Sequence, residues 1–164
     1  MRKLIFYIVF LFIIVSLFTC KKYSQDPSIS IHTTKGRLQG DWTIKSIKVN
    51  DLDVTSQYSD SLGLSNIKDL KVKFRYVKDN PYFKDGVWYS EYYLNEQMFY
   101  SVFFQINKKA ETIYYSWNVY RPQSSSLYNI FEAKCETKIL RLYGHEFIIQ
   151  RVNSNIKYEI SYEY

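Results

Sequence analysis

The chain has 164 residues, a formal charge of +6 and a hydrophobic content of 46%. Its length is enough for one domain with a sizeable core and too short for two ordinary domains. The basic excess is modest and scattered along the chain, so composition and charge give no reason to expect a nucleic-acid partner.

The first twenty residues have the pattern of an export leader. Met1–Lys3 is a basic start, an unbroken apolar run covers Leu4–Val15, and a cysteine stands at position 20. A basic start, an apolar segment and a cleavage point are typical of a secretory leader rather than of a folded domain. The segment resembles the lipoprotein signal peptides of bacteria, including Leu17 three places before the cysteine. This resemblance implies that residues 1–19 are removed and that Cys20 becomes the acylated first residue.

An uncleaved membrane anchor is the alternative for this segment, because its apolar stretch is only slightly shorter than the ~18 to 20 residues that span a bilayer. Both interpretations place the remaining chain outside the cytoplasm. Removal of the leader takes away Arg2 and Lys3, which lowers the formal charge from +6 to +4.

The stretch after the leader is polar. Residues 20–36 contain only isolated apolar residues, so they predict a flexible tether between the lipid and a domain at residues 37–164. In some bacterial groups an acidic run after the lipidated cysteine resembles a surface-export tag. This chain has Lys21 and Lys22 in that place, which favours lipid anchoring on the periplasmic side of an outer membrane.

After the tether, apolar and polar residues alternate, which indicates half-buried antiparallel strands. Asp53 to Asn66 has room for one short helix. Turn residues separate nine predicted strands at 41–50, 69–78, 86–94, 97–107, 111–120, 126–133, 136–143, 146–152 and 156–163. Eight or nine strands joined by short hairpins predict an all-β fold, a single antiparallel up-and-down barrel, because closure removes the exposed sheet edges.

The first strand opens with Gly40-Asp41-Trp42, and a short apolar-polar hairpin follows it. These residues, with the closing strands at 138–142, 146–149 and 158–160, resemble the lipocalin-like domains of bacterial lipoproteins. The likeness spans about residues 38–164 and implies a calycin-like barrel. Trp42 is predicted to be a large inward aromatic that plugs the narrow end of the barrel, while Gly40 leaves room for the neighbouring backbone.

An eight-stranded barrel is just wide enough either to be filled by side chains or to hold one small ligand. Bulky residues are predicted to line this one: Phe74, Tyr76, Tyr89, Tyr100, Phe104, Tyr115 and Trp117. A cavity lined by tyrosines would take an apolar or amphipathic molecule while the hydroxyls fix its orientation, but the same side chains are equally able to fill the lumen.

The other side chains of these strands are expected on the outer face of the barrel. Aromatic residues predicted there are Phe99, Phe103, Tyr114 and Tyr120. A continuous exposed patch of them would mark a surface for a partner or a membrane. The alternative is that the tether or the short helix covers them.

Motifs for catalysis and metal binding are missing from the sequence, which has no nucleophile elbow, P-loop, Cys-x-x-Cys pair or His-Glu-x-x-His. His32 and His145 each lack a second ligand at a suitable spacing. We therefore expect no catalytic residue, metal or cofactor. The leading hypothesis is a lipid-anchored envelope protein that holds a small amphipathic ligand in the barrel. The alternative is a filled barrel that binds an envelope protein or a glycan, with inhibition of the partner as one form of this role.

Overall fold

The structure is a computed structural model, and it describes residues 33–81, 83, 86–107, 109, 111–120, 136–153 and 155–164. The side chains of residues 116–120 lie outside this description, as do the predicted leader, Cys20, His32 and the strand predicted at 126–133. Within the described ranges, no helix has the length and the hydropathy that a bilayer-crossing segment needs.

The described residues form two short helices, a 3-10 turn and nine strands. In chain order these are α1 Thr34–Leu38, β1 Gly40–Val49, β2 Leu52–Asp53, α2 Thr55–Ser61, the 3-10 turn Ile67–Asp69, β3 Lys71–Val77, β4 Val87–Leu94, β5 Gln97–Ile106, β6 Thr112–Tyr120, β7 Glu136–Tyr143, β8 Glu146–Asn153 and β9 Ile156–Glu163. The strand bounds lie within two residues of the predicted ones wherever both exist, and the predicted short helix is α2.

The strands close into a barrel. Each pairs antiparallel with its neighbour in the order β1-β3-β4-β5-β6-β7-β8-β9, and β9 pairs with β1, while the short β2 adds to the edge of β1. Closure runs from Thr43 opposite Glu163 to Val49 opposite Tyr158. The predicted antiparallel up-and-down barrel is therefore confirmed as a closed eight-stranded barrel with one additional strand.

Alternation along the strands places one face of the sheet inside. On β3, Val72 and Phe74 are buried and Lys71 is exposed. Two of the tight turns are Asn50-Asp51 and Asn95-Glu96, whose four residues all have positive φ. Such two-residue turns match the right-handed twist of a hairpin, so they hold consecutive strands in register.

An aromatic layer fills one end of the interior. The Phe74 ring makes edge contacts with Phe104, Phe147 and Tyr162, with ring centroids 6.1, 5.5 and 5.5 Å away. Phe147 stacks on Tyr162 at 5.3 Å, and Trp42 packs edge-on against Phe147 at 6.1 Å. All five side chains are at most 3% exposed, so this layer is a solid part of the core.

Helix α1 lies across this end of the barrel, which we name the tether end because the chain enters here. The Lys35 ammonium sits 3.9 Å from the centre of the Tyr76 ring on β3. The Arg37 guanidinium donates to the Leu142 carbonyl on β7, which stands on the opposite side of the barrel. The predicted flexible tether, 20–36, therefore ends early, because α1 already packs against the barrel from Thr34.

The opposite end, which we name the far end, carries α2. The Thr55 hydroxyl accepts a hydrogen bond of 2.9 Å from the Ile47 amide of β1, and this bond joins the helix to the barrel wall. Tyr58, Val54 and Leu62 pack their apolar parts against the core. Burial raises the pKa of the Tyr58 phenol.

Candidate functional site

Most of the predicted lining residues lie inside the barrel, where they pack against one another. Phe74, Tyr100, Phe104 and Tyr115 are between 1% and 7% exposed. The Tyr115 ring lies 5.8 Å from that of Phe104, and Tyr100 lies 5.4 Å from Tyr92. In the part of the barrel that the structure describes, these aromatics therefore fill the lumen and do not surround an empty cavity.

Nearer the far end, the interior holds a small void. Its volume is about 10 Å³, and it is lined by Tyr115, Thr137, Ile149, Arg151, Tyr158 and Ile160. This is the space of about one water molecule and far below the ~300 Å³ of a small ligand site. Burial raises the pKa values of Tyr92, Tyr115 and Tyr162, whose phenols share this closed interior.

Tyr89 faces outward, so its predicted inward direction is wrong. On β4 the buried side chains are Val87, Trp88, Ser90 and Tyr92, whereas Tyr89 and Glu91 belong to the other face. Tyr89 instead packs edge-on against the outer Phe103 at 6.1 Å. For Trp117, the backbone register pairs it with Phe103, and its side chain lies outside the described part.

The expected outer aromatic patch is only partly formed. Phe103 lies on the outer face and Tyr114 is 46% exposed, as predicted. Phe99 packs against the core instead, because the β4–β5 register shifts after Tyr92 and leaves Phe99 without an opposite residue. The side chain of Tyr120 lies outside the description.

A cleft of about 470 Å³ opens at the tether end, and we name it the rim cleft. It is lined by Tyr76, Gly86, Trp88, Gln105, Ile106, Asn107 and Tyr114. Strand β3, the start of β4, the end of β5 and the start of β6 therefore supply its walls. Its volume lies within the ~300 to 1,000 Å³ that is usual for small-molecule sites.

Aromatic contacts hold the floor of the rim cleft in place. Trp88 is 7% exposed and stacks on Phe104 at 6.0 Å with an interplanar angle of 16°. Tyr76 lies 5.3 Å from Trp88 and carries the Lys35 ammonium on its ring. Because Phe104 belongs to the packed interior, the floor is a rigid cap over the lumen and not an entrance to it.

Turn chemistry shapes the sides of the cleft. Gly86 has φ +77°, and a side-chain carbon there would stand 2.8 Å from the Val77 carbonyl oxygen, so the position favours glycine. The Asn107 side-chain oxygen accepts hydrogen bonds from the Glu111 and Thr112 amides at 2.8 and 3.3 Å. The amide groups of Asn107 and Gln105 thus give the cleft a polar edge beside its aromatic floor.

Trp42 is inward and 1% exposed, and its indole N–H donates a 2.9 Å hydrogen bond to the Leu38 carbonyl. This bond fastens α1 to the first strand. Gly40 lies under Tyr164, where an added side-chain carbon would approach a ring carbon to 2.5 Å. The room that Gly40 leaves is therefore used by an aromatic ring. The role of Trp42 and Gly40 as a plug stays a prediction.

Of the seven residues that line the rim cleft, sequence reasoning named only Tyr76 as a lining residue and missed the other six: Gly86, Trp88, Gln105, Ile106, Asn107 and Tyr114. Tyr114 was assigned to the outer face alone, although its ring also forms a wall at the rim. The sequence did contain a signal for Trp88. Glu91 lies two residues after Tyr89 on β4, so the two side chains share a face, and the charge of Glu91 marks that face as the outer one. Trp88, one residue away from Tyr89, therefore belongs to the inner face. For Gly86, the sequence showed only a turn.

By its described residues, this protein is a closed antiparallel β-barrel with side chains packed in its interior and an amphipathic cleft on its rim. Among the described residues, no three or more His, Cys, Asp or Glu side chains come together as metal ligands would. No family model, curated protein or solved structure matches the chain.

Proposed function

We propose that this protein is a lipid-anchored binding module of the bacterial cell envelope. In this proposal Cys20 carries the lipid, the barrel faces the periplasm, and a small apolar or amphipathic ligand binds at the rim cleft without being chemically changed. The observation that carries it is the cleft itself, with a rigid aromatic floor and a polar edge. The binding site is thereby moved from the lumen, where the hypothesis from sequence had placed it, to the rim.

The mechanism is burial of apolar surface on a preformed floor. Trp88, Tyr76 and Ile106 offer apolar faces, and their contacts with the core mean that little side-chain entropy is lost on binding. The amides of Gln105 and Asn107 would orient a polar group of the ligand. A ligand of this kind is small, because the side chains that the structure describes fill the interior beneath the cleft.

The test uses protein without residues 1–19 and with Cys20→Ser, which needs no detergent. We expect the fluorescent probe N-phenyl-1-naphthylamine to bind, and we expect Tyr114→Ala to weaken binding about tenfold because one aromatic wall of the cleft is lost. Tyr143→Ala is the matched control, since Tyr143 is 39% exposed and lies outside this cleft. Equal loss of affinity in both variants would contradict the placement.

The lipid anchor has its own test in bacteria that express the full chain. We expect radiolabelled palmitate to mark the wild-type protein and not the Cys20→Ala variant, because only the thiol accepts the diacylglycerol group. Membrane flotation of the two proteins measures the consequence, since two or more acyl chains hold a protein stably on a bilayer. Equal labelling, or no labelling of the wild type, would refute lipidation at this residue.

A second candidate function is an interaction module whose filled barrel serves only as a scaffold for binding an envelope protein or a glycan. The packed interior favours it, because the void of about 10 Å³ cannot serve a ligand. The probe experiment separates the two candidates. Binding that depends on Tyr114 supports the small ligand, and complete absence of binding supports the scaffold.

A further inference from the structure

A second cleft lies at the tether end, on the β7–β8 side of α1. Its volume is about 390 Å³, and it is lined by Gly36, Arg37, Gln39, Tyr143, Gly144, His145 and Tyr164. None of these residues belongs to the rim cleft. The two sites can therefore be tested separately.

Tyr164 is the notable member of this cleft because its ring is exposed and yet fixed. It is 66% exposed. Its edge contact with Trp42 has a centroid distance of 5.5 Å, and it stacks on the His145 ring at 5.8 Å with an interplanar angle of 29°. The Tyr164 amide donates a 3.0 Å hydrogen bond to the His145 carbonyl, and Gly40 leaves the ring its room. A ring held in this way loses little entropy when a ligand packs against its exposed surface.

Polar groups surround that aromatic face. The Gln39 amide and the His145 imidazole are exposed, and Arg37, which donates to the Leu142 carbonyl, lies at the edge. Tyr143 adds a second ring that is 39% exposed. The cleft thus offers flat apolar surface within a perimeter of hydrogen-bonding groups.

We propose that this second cleft binds a saccharide of one or two pyranose rings. A pyranose presents an apolar face of C–H groups, which suits an aromatic ring, and a perimeter of hydroxyls, which suits amide, imidazole and guanidinium groups. An acyl chain fits less well, because polar side chains border the cleft. The proposal goes beyond the small-ligand function above and gives the interaction candidate a definite chemical class.

The experiment uses the mature lipidated protein in phospholipid nanodiscs, with maltose, chitobiose and cellobiose as the probes. Saturation-transfer NMR at millimolar sugar detects binding, and a titration gives the affinity. We expect at least one of the three sugars to bind, and we expect Tyr164→Ala to weaken its binding about tenfold. Tyr164→Phe is expected to retain most of the affinity, because the stacking face remains.

Two further variants keep the result clear if loss of the Tyr164 ring disturbs the packing of Trp42. Gln39→Ala and Tyr143→Ala change exposed groups of the cleft and are each expected to weaken binding severalfold, while Tyr114→Ala in the rim cleft leaves it unchanged. No binding of any of the three sugars overturns the proposal. So does binding that Tyr143→Ala and Gln39→Ala leave intact. Neither outcome bears on the Tyr114-dependent binding of the naphthylamine probe. Saccharide binding in the second cleft and small-ligand binding in the rim cleft are therefore tested independently.

Discussion

Replacing Trp42 with alanine is expected to destabilise the barrel by about 3 to 5 kcal/mol. The side chain is 1% exposed, packs edge-on against Phe147 and Tyr164, and hydrogen-bonds the Leu38 carbonyl. The variant loses this buried area and leaves a cavity, and α1 loses its bond to β1. Since domains of this size are stable by ~5 to 15 kcal/mol, the change is a large part of the total.

Urea unfolding followed by far-ultraviolet circular dichroism measures the effect. Trp42→Phe should cost less, because it keeps most of the aromatic contact and loses the hydrogen bond. Met98→Ala is the matched control, since Met98 is 41% exposed and surface changes usually alter stability by less than about 0.5 kcal/mol. A Trp42→Ala midpoint that equals that of the control would show that the indole is not a structural element of the core.

Alkaline pH is expected to unfold the barrel steeply. Burial raises the pKa values of Tyr92, Tyr115 and Tyr162, because the closed interior disfavours the phenolate. In the unfolded chain these phenols ionise near pH ~10. The folded protein therefore holds more protons than the unfolded protein above that pH. The stability is fully present below pH ~10 and falls as pH rises further, by up to about 4 kcal/mol per pH unit for three protons.

Absorbance at 295 nm and circular dichroism during a titration from neutral to alkaline pH test this directly. We expect the phenolate absorbance of the buried group to appear together with the loss of β structure. Tyr115→Phe should reduce the slope of stability against pH by roughly a third, because one of three linked protons is removed. Complete ionisation with the β signal intact would contradict the burial of these phenols.

The barrel was predictable from sequence because the alternation of apolar and polar residues, which causes strands to form a half-buried sheet, is repeated along the chain. The alternation that buries Val72 and Phe74 on β3 is visible without a structure, and so are turns such as Asn95-Glu96. Closure followed from the number of strands, since an open sheet of that length would leave two exposed edges.

The sequence was a weaker guide to which side chains of β4 face inward, because aromatic residues occupy both the odd and the even positions of this strand. Trp88 and Tyr92 face inward while Tyr89 faces outward, so hydrophobicity alone cannot choose the face, although Glu91 marks the outer one. Phe99 could not be placed either, since a register shift between strands leaves no mark in the spacing of residues.

The rim cleft was beyond sequence reasoning for a different reason. Its parts come from four strands and their connections, and α1 reaches it through Lys35 on the Tyr76 ring. The pairing of β4 with β5 and of β5 with β6 brings Tyr114 near Trp88. The sequence could not predict whether the lumen is filled, because the same aromatics are able either to line a cavity or to occupy it. The contacts of Phe104 with Phe74 and Tyr115 show that these side chains occupy it.

Binding at the rim is proposed because the side chains that the structure describes fill the interior of the barrel. Methyl NMR of isoleucine-labelled protein during titration with N-phenyl-1-naphthylamine tests it most directly, since Ile106 lines the rim cleft while Ile47 and Ile160 are buried inside. We predict that the Ile106 methyl signal shifts in proportion to bound probe and that the Ile47 and Ile160 signals stay in place. Shifts of Ile47 and Ile160 with Ile106 unchanged would show that the probe enters the lumen, and binding at the rim would be refuted.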